Sequence, residues 1–244
     1  MEILMKRKLL AVISLAALAM ACSPPAAPVA AAPEVAPPPA PVALVIPSGE
    51  YSVDPNHASL RFDILHLGLA EYNARLTKFD AKLKVDAANP TASSLSFTAD
   101  AASVRTDYAG NYQATHKGAP YKTWDEALAK QFLGLEKQPK ITFTSTSFTQ
   151  DGGNKGTLIG DLAIGGVSKP VTFEVELSGQ VAEHPFTKAP AVGFEAEGKI
   201  KRSDYGIATD GFLNGALGDE IEIEFNGEFY GPPPPPAAAA PAAQ

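Results

Sequence analysis

In the nine residues KFDAKLKVD, apolar and charged side chains alternate without a fault. Phe79, Ala81, Leu83 and Val85 fall on one parity, and Lys78, Asp80, Lys82, Lys84 and Asp86 on the other. Successive side chains of an extended strand point to opposite faces, whereas a helix rotates by about 100° per residue. Wound as a helix, this stretch would spread charge around its whole circumference. As a strand it has one dry face and one wet face, so the chain here is committed to a half-buried sheet.

The same period of two recurs along the chain. In ASLRFDILH, Leu60, Phe62 and Ile64 share a face while Arg61 and Asp63 take the other. Alternation continues in SLSFTA (Leu95, Phe97), KITFTSTSF (Ile141, Phe143), TLIGDLAI (Leu158, Leu162, Ile164) and PVTFEVELSG (Val171, Phe173, Val175, Leu177). It closes in VGFEAEGKI (Phe194, Ala196, Ile200) and DEIEIEF (Ile221, Ile223, Phe225). Asp-Gly and Gly-Gly signals in TQDGGNKG and IGGVSKP predict hairpin turns between consecutive runs. One segment obeys another period. YKTWDEALAKQFLG spaces Trp124, Leu128, Phe132 and Leu135 by three and four with Gly134 near its end, which predicts a short helix in a long connection.

Roughly eight or nine strands in about 180 residues amount to one all-β domain, either a sandwich or an up-and-down barrel. The inward parity mixes phenylalanines with small residues, Ala81, Ala99, Ser145, Gly160, Ala196 and Gly198. Two readings stand side by side: the small residues leave room for a ligand inside a barrel, or they accommodate facing phenylalanines in a filled core.

The ends have another composition. Lys6, Arg7 and Lys8 precede the apolar run LLAVISLAALAMA, of signal-peptide length and too short for a membrane span. The run ends at Cys22, the single cysteine of the 244 residues, with small residues Ala19 and Ala21 before it. This start resembles the lipobox of bacterial lipoproteins, which implies acylation of Cys22. Ser23 rather than Asp follows, so the resemblance implies an outer-membrane, periplasm-facing location; ordinary cleavage to a soluble periplasmic protein is the alternative. Residues 23 to 47 and the tail GPPPPPAAAAPAAQ are dominated by Ala and Pro, the composition of spacers. The expected organisation is a signal peptide over 1–21, a lipidated cysteine and linker over 22–49, the β domain over 50–230 and a tail over 231–244. Formal net charge is −7 and no basic stripe is present, so nucleic acid is not an expected partner.

Five stretches in order, YSVDPNHASLRFDILHLGLA, QPKITFTSTSF, GDLAIGGVSKPVTFEVE, KRSDYGI and LGDEIEIEF, resemble the succession of motifs in the YceI-like family. The likeness runs from Tyr51 to Tyr230. It implies a single extended antiparallel β-barrel of lipocalin-like type with a short helix in one connection, and a polyisoprenoid or similar amphipathic chain held inside. The departures are local: Ala74 and Leu76 stand where the family usually has Gly and Phe, and Ala127 where a His is expected.

Chemistry is sparse. His57, His66, His116 and His184 lack the short spacings of metal sites, no G-x-S-x-G elbow exists, and the Gly-rich IGGV is a turn without a phosphate-loop helix. Neither enzyme activity nor a cofactor is expected. The candidate apolar lining is Phe62, Ile64, Phe97 and Phe143 with Leu162, Phe173, Phe194 and Phe225. A quinone or prenyl-phosphate head would need polar groups at an opening, for which His66, Arg105, Lys169 and Arg202 are the candidates. A filled barrel acting as a structural or stress-response adaptor is the second reading, and a quinone-linked redox accessory the third.

Overall fold

The alternating runs become strands of one sheet. In the computed structural model, which describes residues 37–232, the strands are β1 (Gly49–His66), β2 (Ala70–Leu76), β3 (Phe79–Val85), β4 (Ser94–Asp100) and β5 (Val104–Arg105). They continue as β6 (Lys140–Gly152), β7 (Lys155–Ile164), β8 (Val167–Val181), β9 (Ala191–Lys201) and β10 (Leu217–Tyr230). The signal segment, Cys22, most of the linker and the tail from residue 233 lie outside the described residues.

Every pairing is antiparallel, and β1 bonds to β10 from Ala58 to His66, which closes the sheet on itself. Of the two architectures the alternation allows, the molecule is therefore the barrel, and closure removes the unpaired edges that a sandwich would leave. The opposite side of β1 bonds to β2 from Leu60 to His66 and to β3 from Gly49 to Ser52. β2 and β3 are thus two pieces of one stave, and β5 extends β4 beside β2 in the same way. Ten strands make eight staves. Buried Ser103 ties the two breaks together: its carbonyl accepts from Thr77 N–H and Oγ1, and its Oγ accepts from Lys78 N–H.

The hairpins form where turn chemistry predicts. Gly152 and Gly153 turn β6 into β7, and Gly165 and Gly166 turn β7 into β8, all four with positive φ, a region that costs a residue with a Cβ about 1–2 kcal/mol. The predicted helix exists but changes pitch. α1 (Tyr112–Thr115) precedes α2 (Trp124–Ala127), which Thr123 caps by accepting Glu126 N–H, and α2 widens into a π-helical turn over Leu128–Phe132 before Gly134 ends it. This connection lies over one end of the barrel, with Leu133 and Phe132 in its core. A third short helix, α3 (Gly211–Ala216), leads into β10.

One boundary differs from the compositional reading. Residues 38–48, placed by their Ala and Pro content in the spacer, lie along the barrel as a strap. Val42 N–H donates to Gly153 O at 2.8 Å, Gly153 N–H donates to Pro39 O, and Gln180 donates to Ala43 O while accepting from Val45 N–H. Ile46 is only 2% exposed, packed among Tyr51, Val53, Val85 and Phe229. Proline and alanine describe the average of that stretch, whereas Val42, Leu44 and Ile46 supply the apolar contacts.

Candidate functional site

The small inward residues and the inward phenylalanines turn out to be partners. Phe173 and Gly198 face each other across β8 and β9, and a Cβ on Gly198 would stand 2.5 Å from the Phe173 ring. Phe148 covers Gly156 at the same distance, and Phe143 covers Gly160. Each ring takes the space that a side chain at the glycine would fill. The residues that could have meant a filled core therefore leave the axis open.

The open axis is divided into two apolar chambers. The larger, about 230 Å³, lies under the α2 connection; the smaller, about 130 Å³, lies under the strap. One water needs roughly 10–15 Å³ of such space, so the larger chamber admits a body of about 15 to 20 waters in size. Leu95, Leu158, Ala196, Phe225 and Phe229 border both and form a collar between them. An apolar cavity of this kind stays dry and takes apolar guests, because water inside it would lose its hydrogen bonds.

The structure brings the eight predicted lining residues together. Phe62, Ile64, Phe97, Phe143, Leu162, Phe173 and Phe225 line the larger chamber, and Phe194 lines the smaller. Phe143 and Phe173 meet edge to face at 5.3 Å, and of the eight only Phe143 and Leu162 are fully buried. The rest retain accessible surface although they point inward.

The four predicted polar residues part company. His66 is exposed and borders the larger chamber at the end of β1. Arg105 does not reach either chamber: it stands exposed on β5, 3.9 Å from Asp125, beside Arg75 in the β2–β5 register. Lys169 sits opposite Leu162 in the β7–β8 register, yet it is exposed and off both linings. Arg202 is the clearest correction. It is 2% exposed, and its guanidinium donates to the carbonyls of Gly218, Ile207, Ala208, Asn214 and Leu217 at 2.7–3.1 Å. A further bond goes to Asn214 Oδ1. With every donor engaged, Arg202 holds the loop from Gly206 to Gly218 in place and has none left for a ligand.

Sequence reasoning missed two groups. Trp124, Leu128, Phe132 and Leu133 of the α2 connection, with Leu213 of α3, roof the larger chamber; their helical spacing was legible, but not which face of it met the barrel. Gln150, Asn154 and Lys155 of the β6–β7 hairpin border the smaller chamber, disguised as turn residues. His66, Tyr72 and Trp124 alone among the lining of the larger chamber carry polar side-chain atoms, and Tyr72 Oη is buried without a hydrogen-bond partner. Burial raises the pKa of the Tyr72 hydroxyl. Among the described residues no three His, Cys, Asp or Glu side chains converge to hold a metal ion.

A closed eight-stave barrel with an apolar bore and a helical roof defines a lipocalin-like class of protein. The sequence profile of the YceI-like domain matches residues 51–229, and the chain belongs to that family. Protein YceI of Salmonella arizonae is 36% identical over 179 residues, which cover 72% of this chain and 84% of that one. The crystal structure of the Campylobacter jejuni YceI protein superposes with a TM-score of 0.56 at 27% identity, over 69% of this chain and 90% of that one. A polyisoprenoid binding domain from Saccharophagus degradans, implicated in plant cell wall breakdown, shares the fold at 13% identity. Its TM-score is 0.54, over 75% of this chain and 98% of that one.

Proposed function

We propose that this protein is a membrane-anchored periplasmic carrier that holds a polyisoprenoid or similar amphipathic chain inside its barrel. The observation that carries the reading is the apolar bore, two chambers that share a collar of lining residues, with phenylalanines set into the spaces left by glycines. Removing apolar surface from water contributes about 25 cal/mol per Å², so a prenyl tail needs no specific hydrogen bond to stay inside. Polar side chains border the bore mainly at its ends, His66 at one and Gln150, Asn154 and Lys155 at the other, which suits a ligand with one polar head. Acylation at Cys22 would keep the carrier at the membrane, and stable anchoring needs more than one acyl chain. The bore speaks against the filled-barrel adaptor. An isoprenoid quinone is one such chain, and a redox role on it is the third reading.

The test is extraction of the protein from its native membranes followed by mass spectrometry of the organic phase. A co-purifying prenyl lipid is expected. Its absence, together with no saturable uptake of prenyl alcohols or prenyl quinones afterwards, would defeat the proposal.

A further inference from the structure

The turn between β1 and β2 breaks two rules at once. Leu65, Leu67 and Leu69 are 44%, 49% and 83% exposed, three large apolar side chains bare within five residues. Leu67 also holds φ at 53° ahead of Gly68 at 68°. Left-handed backbone in a turn suits Asn, Asp or Gly, and leucine there is strained. The strained conformation is fastened from outside, because Leu67 N–H donates to Ala216 O at 2.7 Å and Leu69 N–H to His66 O at 3.0 Å. A chain that keeps an unsuitable residue strained and bare loses stability and solubility there, and such local conflicts concentrate at functional positions.

The place of the turn supplies its use. His66, between Leu65 and Leu67, borders the larger chamber and is itself exposed, so the bare leucines flank a residue that reaches both solvent and the bore. Leu217, opposite His66 in the β1–β10 register, lines the chamber beside it, and Leu213 of the roof lies on the same lining. We propose that the Leu65–Leu69 turn docks on the face of a lipid bilayer and that the ligand passes between bilayer and chamber beneath it. This rests on the carrier reading: a prenyl chain resides in a bilayer, and a mouth seated in the interface spares that chain a passage through water. A second copy seated on the turn would close the mouth instead.

The test uses the chain from residue 22 onward with Cys22→Ser, so that neither the apolar leader nor an acyl group holds it to membranes, and vesicles of phosphatidylethanolamine and phosphatidylglycerol. Flotation with plain vesicles reads docking. Energy transfer from Trp124, the one tryptophan of the sequence and part of the chamber roof, to a dansyl-labelled prenyl alcohol reads arrival inside. In Leu65→Ser/Leu67→Asn/Leu69→Ser, with Asn chosen because it tolerates the left-handed backbone, flotation should weaken about tenfold or more. Uptake from vesicles should slow to a similar degree, with uptake from detergent micelles unchanged and the thermal midpoint equal to the parent's or higher, since Asn relieves the strain at position 67. The proposal is overturned if the variant floats and loads from vesicles as the parent does, if micelle uptake falls equally, or if the parent dimerises through this turn and floats no better than the variant. Should neither chain take up the probe from micelles, the carrier reading fails, while flotation still decides the turn.

Discussion

The Phe173 ring stands 2.5 Å from where a Cβ on Gly198 of the neighbouring strand would begin. The glycine leaves that space to the ring, and the bore is wider for it. Gly198→Ala should push the ring inward, destabilise the barrel by about 1–3 kcal/mol and reduce the affinity for a prenyl ligand by more than the stability loss accounts for. Urea unfolding and ligand titration on the same sample separate the two effects.

The collar offers a test of chain length. Ala196 faces both chambers and pairs with Val175 and Phe225 on the adjacent strands. Ala196→Phe should plug the passage, leaving short prenyl alcohols confined to the larger chamber bound as before and weakening long ones about tenfold or more. Equal losses across a series of chain lengths would mean that the chambers do not act in sequence.

Arg202 should prove structural. Arg202→Met strips the donors from five carbonyls of the loop into β10, and a loss of about 3–5 kcal/mol is expected by chemical denaturation. Lysine should not rescue it, since an ammonium has three donors at one point where the loop needs five in a fan.

Alkaline pH should expose Tyr205. The ring is buried, with its hydroxyl 3.4 Å from Leu162 O, and burial pushes its pKa from 10.0 up to about 12. Below pH 10 the hydroxyl is protonated in both folded and unfolded chains, and stability is unaffected. Between about pH 10 and 12 the unfolded chain releases the proton and the folded one does not, so stability falls as pH rises, by about 2–3 kcal/mol over that window. Tyr205→Phe should flatten that slope in denaturant titrations. Part of it should remain, because Tyr230, bonded to Glu228, also has its pKa raised to about 12.

Anchoring is checked by fractionation. Exchanging residues 1–22 for a signal peptide that is cleaved without lipidation should move the protein from the membrane pellet to the soluble periplasmic fraction without changing its prenyl binding.

What could be read from residues alone was whatever depended on parity. Period two placed Phe62, Ile64, Phe143 and Phe225 on the inner face because a strand has only two faces to choose from. Resemblance to a family, not parity, pointed to the barrel. Illegible were features set by distant partners. Nothing local distinguishes Arg202 from an exposed turn arginine, since its acceptors lie up to sixteen residues further along a loop whose path depends on the arginine itself. Arg105 and Lys169 misled for the opposite reason, their charge suggesting a head group while the staves carry them outward or past the lining. Composition hid the strap, because three apolar residues among prolines and alanines do not alter an average.

That strap gives the chain upstream of the barrel a second role. Leu44 and Ile46 belong to the side of the smaller chamber, while Pro47 and Ser48, next along the chain, are exposed. A protease that cut between those two residues would leave that piece of the wall held only by its hydrogen bonds to Gly153, Gln180 and Tyr51 and by the packing of Ile46. A chain cut at that bond would therefore not be equivalent to one cut further upstream, in which the wall of the chamber stays covalently whole.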